Sequence, residues 1–261
     1  MSKTVKVCVV SISTLILVFI LLLTLVFTVK DVKVNLLTSS TSSTLTNENA
    51  LTELKNKEVL PYNQSVFFFN RTKTLDGIEK AIPKIKVINL EVGFPNKLNI
   101  NCVERVPVFA VKISNSTYCY AVVDEDFKTI NVSMTNADYV NFSFSELKKN
   151  EEGQLIKEEI TFDNLKAGDF VQHKYLDELK KFFALLKQYS TTESVLITTY
   201  ENIEVYMRHT LQSDQLSIKF KTKKGYNVDM YNFSNDTDRK IEQLLSIISN
   251  SEITANQIIG D

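Results

Sequence analysis

The sequence predicts an α+β protein. It has a single N-terminal transmembrane helix, a small domain in the order strand, helix, helix, strand, strand, and then a mixed β-rich domain with two helices. Three observations predict this. Val7–Val29 is an uncharged apolar run between Lys6 and Lys30. Residues 84–103 alternate apolar and polar around a Gly-Phe-Pro-Asn turn, directly after two helical patterns. Beyond Pro107, after all four prolines (61, 83, 95 and 107), short alternating segments succeed one another.

Composition excludes several classes. The 261 residues are 44% hydrophobic and 23% charged, which is ordinary for packed domains, and the length suits one or two of them. Thirty Lys+Arg against 31 Asp+Glu leave a net charge of −1 and no basic field for a nucleic-acid backbone. Three cysteines, two histidines and six glycines argue against a disulfide scaffold, a zinc cluster or a glycine-rich phosphate cradle. No repeat of solenoid period is present.

The apolar run sets the expected location. Its 23 residues exceed the ~20 needed to span the hydrocarbon core. It is too long for the ~7–15-residue core of a cleaved signal and ends LVFTVKDV, with no small-residue cleavage pattern. Residues 1–6 are therefore expected to be a cytoplasmic stub, 7–29 a transmembrane helix and the remainder an outer body, the single-pass type II arrangement. The positive-inside bias is slight, with Lys3 and Lys6 before the helix and Lys30 and Lys33 after it, but long domains translocate largely regardless of charge. Lys3, Lys6 and Lys30 fall outside residues 31–261, which leaves that body 27 basic and 31 acidic side chains, net −4. Such a body does not favour anionic lipid.

Two domains are expected after the helix, 30–106 and 107–261. Asp31–Leu37 reads as a strand. The polar tract after it ends in a helix N-cap at Thr46 or Asn47, and Ala50, Leu51, Leu54 and Glu58 give a short helix. Asn63–Asn70 (NQSVFFFN) is an apolar knot. Thr74 is read as the cap of a second helix that turns Leu75, Ile78 and Ile82 inward and stops at Pro83. Ile88, Leu90 and Val92 are then expected on the buried face of a strand, with Asn89 and Glu91 opposite. After the turn Leu98, Ile100 and Cys102 return on the buried face.

The run PKIKVINLEVGFPNKLNINCVERVPV resembles the segment that closes the POTRA domain in the FtsQ/DivIB family of bacterial cell-division proteins. The matching residues are Val87, Leu90, Val92, Phe94, Pro95, Asn96, Leu98, Ile100, Val103, Glu104, Arg105 and Pro107. The resemblance implies that this signature mostly builds the domain. Read from the residues alone, Pro95-Asn96 suits a turn and Glu104-Arg105 an exposed ion pair.

In the second domain, Val108–Ile113 and Tyr118–Asp124 read as paired strands. Tyr118–Ile130 resembles a family hairpin, with Phe127 where the family commonly has glycine, and a left-handed turn is strained with Phe. Two or three short strands are expected in 131–170. Lys174–Tyr189 is an amphipathic helix with the apolar stripe Leu176, Leu179, Phe182, Phe183 and Leu186. Further strands are expected at Val195–Tyr200, Ile203–Met207, Gln215–Lys221 and Tyr226–Tyr231. Asn235 or Asp236 caps a last helix carrying Ile241, Leu244, Leu245 and Ile248. Gly225 and Lys240 match the family here.

No catalytic or metal site assembles from the residues, so the expectation is a protein that is not an enzyme and carries no cofactor. His173 and His209 lie in no motif. Asp124, Glu125 and Asp126 read as a solvated tip, as do Glu151-Glu152 and Glu158-Glu159. Cys102 and Cys119 sit on strands of different domains, and Cys8 has no lipobox-like context. Two other readings stay open. Seven N-x-S/T triplets (Asn63, Asn70, Asn115, Asn131, Asn141, Asn232 and Asn235) would suit a eukaryotic type II glycoprotein, although a chain rich in Asn, Ser and Thr produces them by chance. A membrane-tethered cell-wall hydrolase would need a nucleophile with its base or a carboxylate pair.

The resemblance implies a bitopic division protein at the cell membrane of the septum. Its implied partners are small coiled-coil proteins resembling FtsB/DivIC and FtsL, and through them the septal wall synthesis proteins. It also implies a partner strand added to a sheet edge near the C-terminus. Here only 251–261 remains beyond the last helix, room for one strand at Ile253–Ile259. The expected contact residues are Ile253, Thr254, Ala255, Asn256, Gln257, Ile258 and Ile259, with Tyr226 and Val228 on the neighbouring strand. A frayed tail is the alternative.

Overall fold

The computed structural model describes residues 3–37, 45–114, 117–149, 152–189, 193–209 and 214–260. The polar tract at 38–44, Asn115 and Ser116, and Glu151 lie outside the described residues, as do the side chains of Cys8 and His209. The chain is α+β and divides into two compact units, Met1–Arg105 and Val106–Asp261.

The first unit opens with helix α1 (Lys3–Leu25). The expected transmembrane helix over 7–29 is not supported: among the described residues no helix is long and apolar enough to cross a membrane. The end of the apolar run belongs to the folded unit instead. Val29 is fully buried, and Thr28 bridges Ser65. Main-chain bonds Val29 N–Gln64 O (2.9 Å) and Val66 N–Phe27 O (2.8 Å) hold residues 27–29 against the loop at 63–66.

Strand β1 (Asp31–Leu37), helices α2 (Asn47–Asn56) and α3 (Arg71–Ala81), and strands β2 (Ile85–Gly93) and β3 (Lys97–Glu104) complete the unit. The sheet order is β1-β3-β2, with β1 parallel and β2 antiparallel to β3. One sheet face carries Val32, Val34, Ile85, Val87, Leu90, Leu98, Ile100 and Cys102 into a core shared with Ala50, Leu54 and Ile78 of the helices. On the other face Asn35, Asn101 and Asn89 hydrogen-bond in series across all three strands (2.8 and 2.6 Å). Thr46 caps α2, accepting from Asn49 N.

Three local expectations are corrected. Asn70, not Thr74, caps α3 by accepting from Lys73 N (2.9 Å). Thr74 lies one turn inside the helix, and its hydroxyl donates to Asn70 O. Ile88 is 58% exposed, because the β2–β3 register shifts between Val87 and Asn89. A one-residue bulge reverses the alternation of the strand beyond it, so Ile85 and Val87 before it and Leu90 after it all point inward. Arg105 is buried rather than half of an exposed pair with Glu104. Its guanidinium meets Glu79 Oε2 at 2.8 Å, and its Nε donates to Ile85 O at 3.0 Å.

The second unit comprises β4 (Phe109–Ser114), β5 (Tyr120–Val123), β6 (Thr129–Ser133), β7 (Val140–Lys149), β8 (Leu155–Glu159), β9 (Phe162–Asp163), α4 (Leu176–Tyr189), α5 (Glu193–Thr199), β10 (Tyr200–His209), β11 (Asp214–Thr222), β12 (Asn227–Met230), α6 (Thr237–Ser249) and β13 (Gln257–Ile259). One mixed sheet runs β13-β12-β11-β10-β7-β4-β5-β6, with β8 paired to β7 and β9 to β4. Helix α4 lays its whole expected stripe on this sheet, Phe182 against Phe220 and Phe183 against Phe109. Residues 131–170 hold a ten-residue central strand, β7, besides short ones, because Phe142 and Phe144 enter the core between two parallel neighbours.

Among its described residues the unit has three helices, not two. Residues 195–199, rich in β-branched side chains and read as a strand, form α5. Leu196 is buried while Val195 is exposed, so packing overrides a weak strand preference. At the β5–β6 turn Phe127 does adopt a left-handed backbone, φ 60°. That conformation costs about 1–2 kcal/mol, but full burial of the ring recovers about 1.5–3 kcal/mol, with further gain from aromatic pairing. Phe127 stacks on Phe109 at 5.4 Å and meets Phe142 edge-on at 4.9 Å.

Candidate partner-binding edge

The residues expected to bind a partner are assembled by α6, β12 and β13. Lys240, fully buried in α6, donates from Nζ to the carbonyls of Tyr231 and Asn232, both at 3.0 Å, and so fixes the turn out of β12. Asp236 occupies the N-cap position of α6 without a side-chain cap bond. After the helix, Asn250 Oδ1 accepts from Glu252 N, and the chain returns alongside β12. Strand β13 runs parallel to β12, Val228 opposite Gln257, Asp229 opposite Ile258 and Met230 opposite Ile259.

The strand covers Gln257–Ile259 rather than all of Ile253–Ile259. Asn256 supplies the reason: its side-chain oxygen accepts from Asn227 N at 2.8 Å, taking a donor that a longer ladder would have used. Ile259 is buried and Tyr231 N donates to its carbonyl, whereas Ile258 is 66% exposed. Ile253 is half-buried against the core, and Thr254 and Ala255 are exposed. Tyr226 and Val228 are buried and contribute no exposed surface. β13 is the terminal strand of its sheet, so among the described residues its outer edge faces no further strand.

The signature residues of the first unit are mostly structural. Leu98 and Arg105 are buried, Glu104 and Pro107 half-buried, and Asn96 O accepts from Lys30 N and Asp31 N. Phe94 and Pro95 are exposed.

The candidate chemical groups have local roles. Asp124 is buried, and its Oδ1 accepts from the backbone N–H of Asp126 and Lys128, so it builds the Phe127 turn rather than a solvated tip. Glu125 pairs with Lys187, Glu158 with Lys148 and Glu159 with Lys112. Cys102 is buried, which pushes its thiol up to about 11, and Cys119 is exposed; both are free. Among the described residues no group of three or more His, Cys, Asp and Glu could hold a metal ion. Of the triplet asparagines, Asn70 is engaged as the α3 cap and Asn141 is paired within the sheet.

His173 packs as an aromatic, its ring 3.9 Å from that of Phe144, and burial pushes its pKa down to about 4. The unfolded side chain, near 6.5, takes up its proton first as pH falls, so stability is lost between about 6.5 and 4. Allowing for partial exposure, acidification from pH 7 to 5 is expected to cost about 1 kcal/mol through this residue. Chemical denaturation of the wild type and of His173→Gln at both pH values measures it, and equal pH slopes would refute it.

One feature carried no sequence-level expectation, a groove of about 430 Å³ lined by Ser145, Glu146, Lys157, Tyr206 and Arg208 among others. Lys157 Nζ lies 4.6 Å from the Tyr206 ring centre, and the Arg208 guanidinium 3.8 Å from that of Tyr231. Tyr206 and Arg208 reach it at the period-two spacing of one strand, β10. A scan against protein-family models finds no match, and no curated protein matches the chain.

Proposed function

We propose that this chain is a non-enzymatic assembly protein of the FtsQ/DivIB kind, acting at the division septum and linking early division components to septal wall synthesis. The observation that carries this reading is the short strand β13 ending a large sheet with its outer edge open. An added partner strand gains main-chain hydrogen bonds there while Ile258 offers an apolar contact. The strand, helix, helix, strand, strand order of the first unit supports the same reading. The partners of this kind are small coiled-coil proteins resembling FtsB/DivIC and FtsL.

Deleting residues 251–261 is expected to lower affinity for a purified FtsB/DivIC-like partner at least tenfold, the equivalent of losing about 1.4 kcal/mol. Because Ile259 is buried, the deletion also disturbs packing. Ile258→Asp, which changes only an exposed side chain, is the companion variant and should weaken binding with the melting temperature unchanged. Wild-type affinity in both variants would place the interface elsewhere. A tagged copy should concentrate at the septum, and a diffuse signal with normal division on depletion would overturn the division reading.

A further inference from the structure

The first unit carries an aromatic patch that lies largely outside its core, only Phe27 packing against it. Three short segments converge on it: the exit of α1, the loop between α2 and α3, and the β2–β3 hairpin tip. Ring centres lie 5.4 Å apart for Phe27–Phe67, 5.6 Å for Phe67–Phe94, 6.4 Å for Phe27–Phe94 and 6.3 Å for Phe67–Phe68. Phe68 is 78% exposed, Phe94 65% and Phe67 48%. The α2–α3 loop supplies Val66 and Phe69 to the core, whereas Phe67 and Phe68 are not part of it.

The segments are fixed by main chain. Val66 N donates to Phe27 O, Asn63 N to Val29 O (3.0 Å) and Lys30 N to Asn96 O (2.9 Å). The rings therefore stay presented rather than collapsing inward. Contiguous exposed apolar surface of this kind marks an interaction site.

Two observations favour lipid as the occupant. Arg71 and Glu91 line the same 610 Å³ depression as Phe67 and Phe94, and Lys97 is exposed beside the hairpin tip, with the acid Asp31 nearby on β1. The patch is also continuous along the chain with α1, whose side chains at 10–21 are all exposed and, except for Ser11, Ser13 and Thr14, apolar. Apolar Phe rings beside cations suit the boundary between headgroups and acyl chains, where the rings enter the acyl edge and cations meet phosphates.

We propose that Phe67, Phe68 and Phe94 insert into the interfacial layer of a phospholipid bilayer, with Arg71 and Lys97 against the lipid phosphates. The contact is interfacial and requires no helix to cross the membrane. It stands independently of the strand-edge reading above.

The chain has no tryptophan, so Phe68→Trp installs a single fluorescent reporter in the full-length protein. With vesicles of phosphatidylcholine, the emission of the Phe68→Trp variant should shift to the blue and iodide quenching should fall several-fold. Lipids brominated near the carbonyl end of the chain should quench it more than lipids brominated at the tail. Lys80→Trp, an exposed position on α3, should stay quenched by iodide under the same conditions. If the Phe68→Trp variant sediments with vesicles while its indole remains in water, α1 or another surface makes the contact and the proposal fails. A blue shift without vesicles that disappears on dilution would assign the patch to a second copy of the chain and equally overturn it.

Discussion

Replacing Arg105 by Met should destabilise the first unit by about 3–5 kcal/mol, the cost of leaving a buried carboxylate without its charged partner. Glu79 and Arg105 side chains are 9% and 3% exposed. Glu79 Oε1 accepts from Val87 N at 2.9 Å and Oε2 from Arg105, while Arg105 also donates from Nε to Ile85 O. The pair thus clamps α3 to β2 just ahead of the bulge, and fixes the chain where the first unit ends. A loss of this size approaches the whole stability of a small domain. At 4–8 °C per kcal/mol for a domain of this length, the melting temperature should fall by more than about 10 °C. Hydrogen-exchange protection of amides in 31–105 measures the change residue by residue. The double variant Glu79→Leu with Arg105→Met should recover most of the loss, because it removes both charges from the interior together. Protection within 1 kcal/mol of wild type in Arg105→Met alone would show that the clamp is dispensable.

Leu90→Asp should be comparably damaging and Ile88→Asp nearly silent, although both residues sit in one strand two positions apart. By simple alternation they share a face; the bulge between Val87 and Asn89 separates them. Leu90 is 9% exposed, so the substitution both removes a side chain whose burial contributes about 1.5–3 kcal/mol and places a charge against apolar neighbours. Ile88 is 58% exposed, and an acid there should shift stability by no more than about 0.5 kcal/mol. Denaturant unfolding of the two variants side by side decides it. Equal losses would refute the bulge, and a silent Leu90→Asp would refute the strand register as a whole.

The amphipathic stripe of 176–186 and the strand Asp31–Leu37 were fully legible, because a buried face repeats at the period of its own secondary structure. The candidate edge was legible in position but not in extent, since the competitor that shortens β13 is one Asn256 side chain reaching Asn227, 29 residues back in the chain. The start of α3 was misplaced for a similar reason: Asn70 and Thr74 are both competent caps, and only the backbone shows which one precedes the first turn. The aromatic patch was visible as three consecutive phenylalanines, but its meaning depends on Phe27 and Phe94 arriving from distant segments.

By itself, then, the sequence determined the α+β class, the strand and helix order of the first unit and the apolar faces of α3 and α4. The tertiary structure alone decided where the N-terminal helix stops, the exposure of Ile88, the partner of Arg105, the helical state of 193–199 and the left-handed backbone of Phe127. The physical reason is common to all five. Local pattern reports which residues avoid water, an energy set by each side chain. Register shifts, buried ion pairs and strained turns are stabilised by residues remote in sequence, Gln64 for Val29, Glu79 for Arg105 and Phe142 for Phe127, whose proximity exists only once the chain has folded.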